Sequence, residues 1–267
     1  MLSFASQCRQ PVLFFGRRDA QFLRLLLDLL RAQEKFNGRH LLVRKQDAAV
    51  HGINKKGLLT GLPETVSRDL QLLPGDFIPD GEAVGDHYHA FDLLVFNRED
   101  LRPYPYRERL TALMNLLASA QHGFIHCPET AFTTKQKLAL WERLRAAKGE
   151  GVVFKRLDAP YTPDRPNSGG PQLKYKFYAT ASCVVAQHNL QRSVEARLLG
   201  PDGWMPCGNV TIPANHKIPG VGQVIEVRYL YAHRESNALY QPIFEGLRSD
   251  VAVAECRLTQ LKYKPED

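Results

Sequence analysis

The sequence lacks any apolar run that approaches the roughly 18 consecutive residues needed to cross a membrane as a helix. Its first residues also lack the basic segment and the unbroken apolar segment of a secretory signal. These absences argue against a protein with membrane-spanning helices and against a secreted one. We therefore expect a cytoplasmic protein with no membrane partner.

Cysteine is also scarce, and its five positions are widely scattered, with no Cys-x-x-Cys pair. This usage predicts reduced thiols and argues against a zinc site. What the chain does have is a net charge of +7, from 35 Lys and Arg against 28 Asp and Glu, which favours a polyanionic partner such as nucleic acid. With 267 residues, of which 44% are hydrophobic, it can form one large globular domain or two ordinary ones.

Lys35 stands out because it is expected between a helix and a strand. Apolar residues recur at helical spacing over residues 19–31, and the apolar run 41–43 predicts a buried strand. A lysine near a packed sheet and other cations can have its pKa lowered enough to act as a nucleophile, and Gly38 would let the backbone approach a ligand. For so short a motif the alternative is a solvated loop lysine. Lys45 is a second candidate, but it has alanine where Lys35 has glycine.

Strand and helix patterns alternate between residues 41 and 177. Short apolar or alternating runs predict strands at 41–44, 48–53, 77–84, 89–96, 124–126 and 172–177. Helical spacing predicts helices at 106–118 and 134–147, the second with Thr134 as its N-cap. Residues 54–57, Asn-Lys-Lys-Gly, predict a basic hairpin turn.

Charged residues on these strands are candidates for a site. Lys174 and Lys176 alternate with apolar residues, which puts both ammonium groups on one face of a strand and suits a phosphate. The alternative for the two lysines is a solvated strand face. Asp80, Glu82 and Asp92 supply carboxylates. For Asp80 and Asp92 the alternative is a turn or a strand end that faces water.

The pattern changes after Tyr178, where short β-type runs are separated by turns. These runs occupy residues 183–188, 194–199, 208–212, 224–231 and 239–247. About five short strands over some 90 residues match the size of a small Greek-key barrel of the OB type. We therefore predict two domains, residues 1–178 and residues 179–267.

Short motifs follow one another along the chain. The first is Lys35-Phe36-Asn37-Gly38-Arg39-His40. The others are Asn54-Lys55-Lys56-Gly57, Asp80-Gly81-Glu82, Phe91-Asp92-Leu93, Glu150-Gly151-Val152-Val153-Phe154-Lys155, Lys174 with Lys176, and Arg248-Ser249-Asp250.

Together these motifs resemble those of the ATP-dependent DNA ligases, a branch of the covalent nucleotidyltransferase superfamily. Residues 156–161, Arg-Leu-Asp-Ala-Pro-Tyr, are especially similar to bacterial end-joining ligases. The family's nucleophile motif is Lys-x-Asp-Gly-x-Arg, so Asn37 replaces its aspartate and His40 its arginine. Val251 replaces a lysine of the C-terminal motif. The resemblance implies an α+β fold, an ATP-grasp-like nucleotidyltransferase domain followed by an OB-fold β-barrel.

The resemblance also implies roles for individual residues. Lys35 would attack the α-phosphate of ATP, release pyrophosphate and form a lysyl-AMP. Phe91 would stack on adenine, Glu82 would hold the ribose and Arg248 would orient the pyrophosphate. The residues expected to stabilise the α-phosphate are Lys174 and Lys176. Further nucleotide contacts are expected from Glu34, Gly38, His40, Lys55, Glu150 and Lys155. The expected ligands of Mg²⁺, or alternatively Mn²⁺, are Glu150, Glu82 and Asp80.

The implied function is the sealing of 5′-phosphate/3′-hydroxyl nicks in duplex DNA, in repair or replication. Because few residues precede Lys35, we expect a minimal, monomeric enzyme that grips DNA mostly through phosphates. An RNA ligase acting on RNA-containing duplexes is an alternative, and a capping enzyme is a weaker one. A third alternative is a catalytically impaired nucleic-acid-binding relative, which the departures at Asn37, His40 and Val251 motivate.

Overall fold

The computed structural model describes residues 30–47, 49–163 and 171–265. The strands before residue 178 are β1 Leu30–Lys35, β2 Arg39–Gln46, β3 Ala49–Asn54, β4 Leu59–Thr60, β5 Phe77–Val84, β6 His87–Phe96, β7 Glu99–Asp100, β8 Ile125–His126, β9 Thr130–Ala131, β10 Gly151–Arg156 and β11 Gln172–Lys176. The helices are α1 Glu64–Leu72, α2 Tyr106–Ala118 and α3 Thr134–Ala146. The later strands are β12 Ala179–His188, β13 Ser193–Gly200, β14 Gly203–Thr211, β15 Val224–Tyr229, β16 Tyr231–Ala232, β17 Leu239–Tyr240 and β18 Ile243–Leu247.

Two sheets form the part of the chain before residue 178. The larger has the order β4-β3-β2-β5-β6-β7 with β8 beside β6, and the smaller has the order β11-β10-β1-β9. Leu70 of α1 and Leu113 of α2 pack on one face of the larger sheet, while Leu140 of α3 packs on the smaller. Because the helices cover these faces, the opposite faces remain free to line a site.

The strands after residue 178 have a core of their own. They form a five-stranded antiparallel sheet in the order β14-β13-β12-β15-β18, and β16 and β17 form a separate two-stranded sheet. Within the described residues the hydrogen bonds define an open sheet and not a closed barrel. Cys183, Cys207 and Cys256 are buried in this core as free thiols, as expected for reduced cysteines.

Several predicted elements agree with the structure. The predicted strand 77–84 coincides with β5, and the predicted helix 106–118 coincides with α2. The Asn-Lys-Lys-Gly segment joins β3 to β4, with backbone amides of Lys56 and Leu58 donating to Asn54 Oδ1 and with Gly57 at φ +78°. None of the helices in the described ranges is both long and apolar enough to cross a membrane.

The helix predicted over residues 19–31 is wrong at its end. Residues 19–29 lie outside the described residues, whereas Leu30 and Arg31 belong to β1. Each residue of β1 pairs with β10, from Leu30 opposite Arg156 to Lys35 opposite Gly151. Lys35 therefore lies at the end of a central strand and not between a helix and a strand.

Other boundaries also need correction. Helix α3 is capped by Thr133 and not Thr134, because the Thr133 hydroxyl accepts from the backbone of Gln136 while the Gln136 side chain accepts from the Thr133 amide. The predicted strand 239–247 is two strands, since Gln241 has φ +54° and Pro242 has no N–H to donate. Helix α1 is absent from our predictions.

Candidate active site

A cavity of about 810 Å³ lies between the uncovered faces of the two N-terminal sheets. Strands β1, β10 and β11 form one wall, and β2, β3, β5 and β6 form the other. The predicted site residues that line it are Glu34, Lys35, His40, Lys55, Asp80, Glu82, Phe91, Lys155 and Lys174. Four other predicted residues, Gly38, Glu150, Lys176 and Arg248, do not line it. A cavity of this size can enclose a nucleotide.

Lys35 is held by Glu150, which precedes β10 and lies beside Lys35 because β1 and β10 are paired. The Lys35 Nζ atom is 2.7 Å from Glu150 Oε1, and the two side chains are 15% and 6% exposed. Lys35 Nζ also donates to the carbonyl of Phe36 at 3.3 Å. The alternative of a solvated loop lysine is therefore wrong. This contact fixes the Lys35 side chain beside the Glu150 carboxylate.

The two lysines of β11 take different positions. Lys174 lines the cavity, and its pKa is lowered by burial and by the positive charge of Lys35. Lys176 lies at the end of the strand, with Nζ 3.6 Å from Glu150 Oε1 and donating to Gln241 Oε1 at 3.0 Å. Lys35 and Lys176 therefore share one buried carboxylate, whereas Lys174 is exposed on this strand.

The backbone of Gly38 holds the side chain of Glu82 in the site. The Gly38 amide donates to Glu82 Oε1 at 2.9 Å. A Cβ atom at Gly38 would lie 2.2 Å from the carbonyl oxygen of Ala83, so the glycine is required by the approach of β5 to this loop. The pKa of Glu82 is raised by burial, and the negative charge of Glu150 raises it further. We expected Gly38 to make room for a ligand, but its missing side chain makes room for a strand.

His40 and Asp80 form an ion pair at the cavity wall. His40 Nε2 is 2.7 Å from Asp80 Oδ1, and this hydrogen bond raises the pKa of His40. The Tyr161 hydroxyl donates to Asp80 Oδ2 at 3.3 Å, so both carboxylate oxygens have partners. Burial and the charge of Asp80 raise the pKa of Tyr161 in turn. Asp80 thus faces the site and does not project into water from a strand end.

Lys155 contacts both the ring and the backbone of Phe91. Its Nζ lies 4.3 Å from the Phe91 ring centroid and donates to the Phe91 carbonyl at 3.1 Å and to the Tyr106 hydroxyl at 3.3 Å. Burial lowers the pKa of Lys155 to about 8. These contacts place Lys155 against the aromatic ring expected to stack on adenine.

Asp92 and Arg109 form a buried pair that sequence reasoning missed. Arg109 donates to both oxygens of Asp92, at 2.8 and 2.9 Å, and the residues are 3% and 4% exposed. The alternative of a water-facing Asp92 is therefore wrong. A charged residue beside Leu110 and Leu113 on the apolar face of α2 was the available signal for Arg109.

The remaining candidates differ in their surroundings. Burial raises the pKa of Glu34 at the cavity wall. Lys45 is 7% exposed and donates to the carbonyls of Gln71 and Leu73 at the end of α1, so it serves packing.

Arg248 lies in the C-terminal sheet region, outside the cavity lining. Its guanidinium donates to Glu226 Oε2 at 3.0 Å and to both oxygens of Asp250, at 2.8 and 2.9 Å. Val251, where the ligase motif has lysine, packs against the apolar core of this sheet. A hydrophobic residue at this position is therefore explained by its local packing.

No group of three or more His, Cys, Asp or Glu side chains is arranged to hold a metal ion in the part of the chain that the structure describes. The predicted ligands Glu150 and Glu82 are near enough for each other's charge to matter, whereas the oxygens of Asp80 are occupied. A site for Mg²⁺ would therefore rest on one or two carboxylates together with oxygens of the substrate.

Comparisons with known proteins give a consistent result. Residues 82–176 match a protein-family model described as the ATP dependent DNA ligase domain. DNA ligase C2 of Mycolicibacterium smegmatis is 36% identical over 105 residues, which are 39% of this chain and 28% of that protein. The matched part thus spans less than a third of this relative's length.

Solved structures are similar over most of the chain. The ligase domain of LigD from M. tuberculosis is 22% identical with a TM-score of 0.50, covering 85% of this chain and 91% of that one. A Lig E DNA ligase is 15% identical with a TM-score of 0.64, covering 85% of this chain and 96% of that one. At these identities the likeness shows the fold, which is that of ligase nucleotidyltransferase domains. The chain is therefore similar to ATP-dependent DNA ligases in sequence over residues 82–176 and in fold over most of its length.

Proposed function

We propose that this protein is an ATP-dependent polynucleotide ligase that seals 5′-phosphate/3′-hydroxyl nicks in duplex DNA through a lysyl-AMP intermediate. The observation that carries the proposal is the pairing of Lys35 with Glu150 at 2.7 Å beside a cavity of nucleotide size. Lys174 lines that cavity and Lys176 shares Glu150, so positive charge is concentrated where an α-phosphate would lie.

The first step joins Lys35 to AMP. Glu150 takes a proton from the Lys35 ammonium, and the Nζ lone pair forms a bond to the α-phosphorus of ATP. The bond from that phosphorus to the oxygen bridging to the β-phosphate breaks, and pyrophosphate leaves. Lys174 and Lys176 stabilise the charge that develops on the α-phosphate oxygens.

The later steps pass the AMP to the nick. A 5′-phosphate oxygen of the nicked strand attacks the phosphorus of lysyl-AMP and releases the Lys35 amine. The 3′-hydroxyl oxygen then bonds to the phosphorus of the 5′-phosphate and gives its proton to water, while the phosphoanhydride bond to AMP breaks and AMP leaves. Phe91, braced by Lys155, stacks on the adenine throughout, and Glu82 binds the ribose.

Mg²⁺ fits this site through Glu150 and Glu82. If Mg²⁺ binds here, Glu150 and Glu82 would hold it, and the ion would offset the burial and the charge of Glu150 that raise the pKa of Glu82. The ion supplies neutralisation of phosphate charge when it is bound. Mn²⁺, with similar oxygen preference, is an alternative.

For the domain organisation we propose residues 1–178 as the nucleotidyltransferase domain and residues 179–267 as an OB-fold domain. The sheet order β14-β13-β12-β15-β18 supports the OB assignment, because an OB-fold pairs its strands in this sequence before β14 and β18 approach to close the barrel. We further propose a monomer that acts in the cytoplasm and binds DNA phosphates through its net positive charge of +7.

The test of lysyl-AMP formation is incubation with α-labelled ATP and Mg²⁺, followed by denaturing electrophoresis. We expect label on the wild-type protein and none on Lys35→Ala. Lys135→Ala is the matched control, because Lys135 is an exposed lysine of α3 remote from the cavity lining. An unlabelled wild type, or label that survives Lys35→Ala, contradicts the proposal.

Substrate choice is tested with nicked duplexes that carry DNA or RNA on either side of the nick. We expect the all-DNA nick to be sealed fastest. Equal or faster sealing of all-RNA substrates would favour an RNA ligase. Binding of nicked DNA by a protein that is never labelled would favour a catalytically impaired relative, for which the substitution at Asn37 is the motive.

A further inference from the structure

The two-stranded sheet of β16 and β17 touches the nucleotide site at two points. The Tyr231 hydroxyl has the Asn37 side chain as a hydrogen-bond partner. Gln241, directly after β17, accepts a hydrogen bond from Lys176 Nζ at 3.0 Å. The rings of Tyr231 and Tyr240 stack at 4.7 Å with an interplanar angle of 14°, which joins the two contacts into one unit.

Gln241 makes its contact from an unfavourable backbone conformation. Its φ is +54°, in the left-handed region that costs a residue with a Cβ atom. The following residue is Pro242, and a residue before proline is restricted further, towards extended conformations. Backbone strain of this kind persists where surrounding contacts enforce it, and it is frequent at functional sites. Gln241 is exposed, so burial of its own side chain does not account for the strain.

The contact of Gln241 affects how Glu150 is shared. Glu150 Oε1 lies 2.7 Å from Lys35 Nζ but 3.6 Å from Lys176 Nζ. The carbonyl-type oxygen of Gln241 is closer to Lys176 than the carboxylate is. Gln241 thus offers Lys176 a neutral partner and leaves Glu150 to Lys35, the proposed nucleophile.

Lys262 fixes the position of the C-terminal strands at the same place. Its Nζ donates to the carbonyl of Phe177 at 2.8 Å and to that of Gly149 at 3.3 Å. Gly149 precedes Glu150, and Phe177 follows Lys176, so Lys262 ties together the two segments whose side chains meet. Burial lowers the pKa of Lys262, and the charge of Glu150 raises it.

We propose that Gln241 is a positioning residue for nucleotidyl transfer. It holds the Lys176 ammonium beside the cavity and keeps the Glu150 carboxylate available to Lys35. Tyr231, on the paired strand, holds the Asn37 loop that follows the nucleophile. This inference rests on the proposed function, because it assigns Gln241 a part in the formation of lysyl-AMP.

The test is a double-mutant cycle on the rate of lysyl-AMP formation. We expect Gln241→Ala to slow the step by about 3–10-fold, the effect of losing one hydrogen bond to a charged group that is partly exposed. In a Lys176→Ala background the same change should alter the rate by less than about twofold, because Gln241 acts through Lys176. Gln191→Ala is the matched control, since Gln191 is an exposed glutamine on the β12–β13 loop.

A second variant separates the side chain from the backbone. Gln241→Gly removes the same hydrogen bond as Gln241→Ala but relieves the strain at positive φ. We expect both variants to be slowed alike, with KM for ATP changed less than the rate, and with urea unfolding confirming that both are folded. Wild-type rates in either variant, or an equal slowing of Gln241→Ala with and without Lys176, would overturn the positioning role.

The outcomes also separate a failure of the Gln241 role from a failure of the proposed ligase function. If the wild type is labelled and Lys35→Ala is not, but Gln241→Ala behaves as wild type, only the positioning role is overturned. If the wild type itself forms no lysyl-AMP, the proposed function is overturned and the role of Gln241 in it is overturned as well.

Discussion

Replacing Glu150 with glutamine tests how the charges around the proposed nucleophile work together. The substitution preserves shape but removes the negative charge that lies 2.7 Å from Lys35 and 3.6 Å from Lys176. Both functions assigned to Glu150, accepting the proton of Lys35 and binding Mg²⁺, need the carboxylate. Glu150→Gln should therefore slow lysyl-AMP formation and raise the Mg²⁺ concentration required.

The expected decrease in the rate of Glu150→Gln depends on how far Glu150 and Lys35 are shielded from water. The Glu150 side chain is 6% exposed and that of Lys35 is 15% exposed, so the pair is largely shielded from water. Losing the group that accepts the proton in the transition state should lower the rate about 100-fold or more. The rate is measured by quenching the reaction with α-labelled ATP at a series of times and Mg²⁺ concentrations.

Glu142→Gln is the matched control for this experiment, because Glu142 is an exposed glutamate on α3. It should label at the wild-type rate. An unchanged or faster rate in Glu150→Gln would refute the reasoning, since it would mean that Glu150 only restrains the Lys35 ammonium.

Three further predictions follow from the geometry. Gly38→Ala should lower the free energy of unfolding in urea by about 1–3 kcal/mol, because the new Cβ atom would overlap the Ala83 carbonyl. Gly61→Ala has open space around it and should differ from wild type by less than about 0.5 kcal/mol. Arg109→Met should cost about 3–5 kcal/mol in the same assay, because it leaves a buried aspartate unpaired. His40→Asn should destabilise the protein more at low pH than at high pH, because the pKa of His40 is raised in the folded state. The stabilisation by the hydrogen-bonded imidazolium is complete below the unfolded-state pKa. It is lost as the pH rises through the folded-state pKa.

Specific results would contradict each of these. A Gly38→Ala variant as stable as Gly61→Ala would show that the loop can move away from β5. A wild-type stability for Arg109→Met would mean that the Asp92 carboxylate is solvated. If His40→Asn were destabilised equally at all pH values, the charged form of His40 would make no contribution of its own to stability.

The regular elements could be predicted where the pattern is local. The strand Phe77–Val84 and the helix Tyr106–Ala118 agree with the sequence periodicity because each buries one face on a single core. The strand Leu30–Lys35 could not be predicted in this way. Its second half, Gln33-Glu34-Lys35, is polar and shows no apolar alternation, and it is a strand because it pairs with β10, which is more than a hundred residues away in the chain.

The site was predictable to a similar extent. The motifs identified Lys35 and Glu150, and their pairing depends on the β1–β10 register that the sequence does not display. The contact between Lys176 and Gln241 joins residues 65 positions apart, and neither a motif nor a periodic pattern includes Gln241. Non-local contacts between side chains of distant segments are therefore the part that only the structure reveals.

The central claim is that Lys35 forms a covalent bond to AMP, and intact-protein mass spectrometry tests it most directly. After incubation with ATP and Mg²⁺, the account predicts a mass increase of one AMP group, mapped by peptide analysis to Lys35 and reversed by added pyrophosphate. An adduct on any other lysine, or a wild-type protein whose mass never changes, would contradict the account.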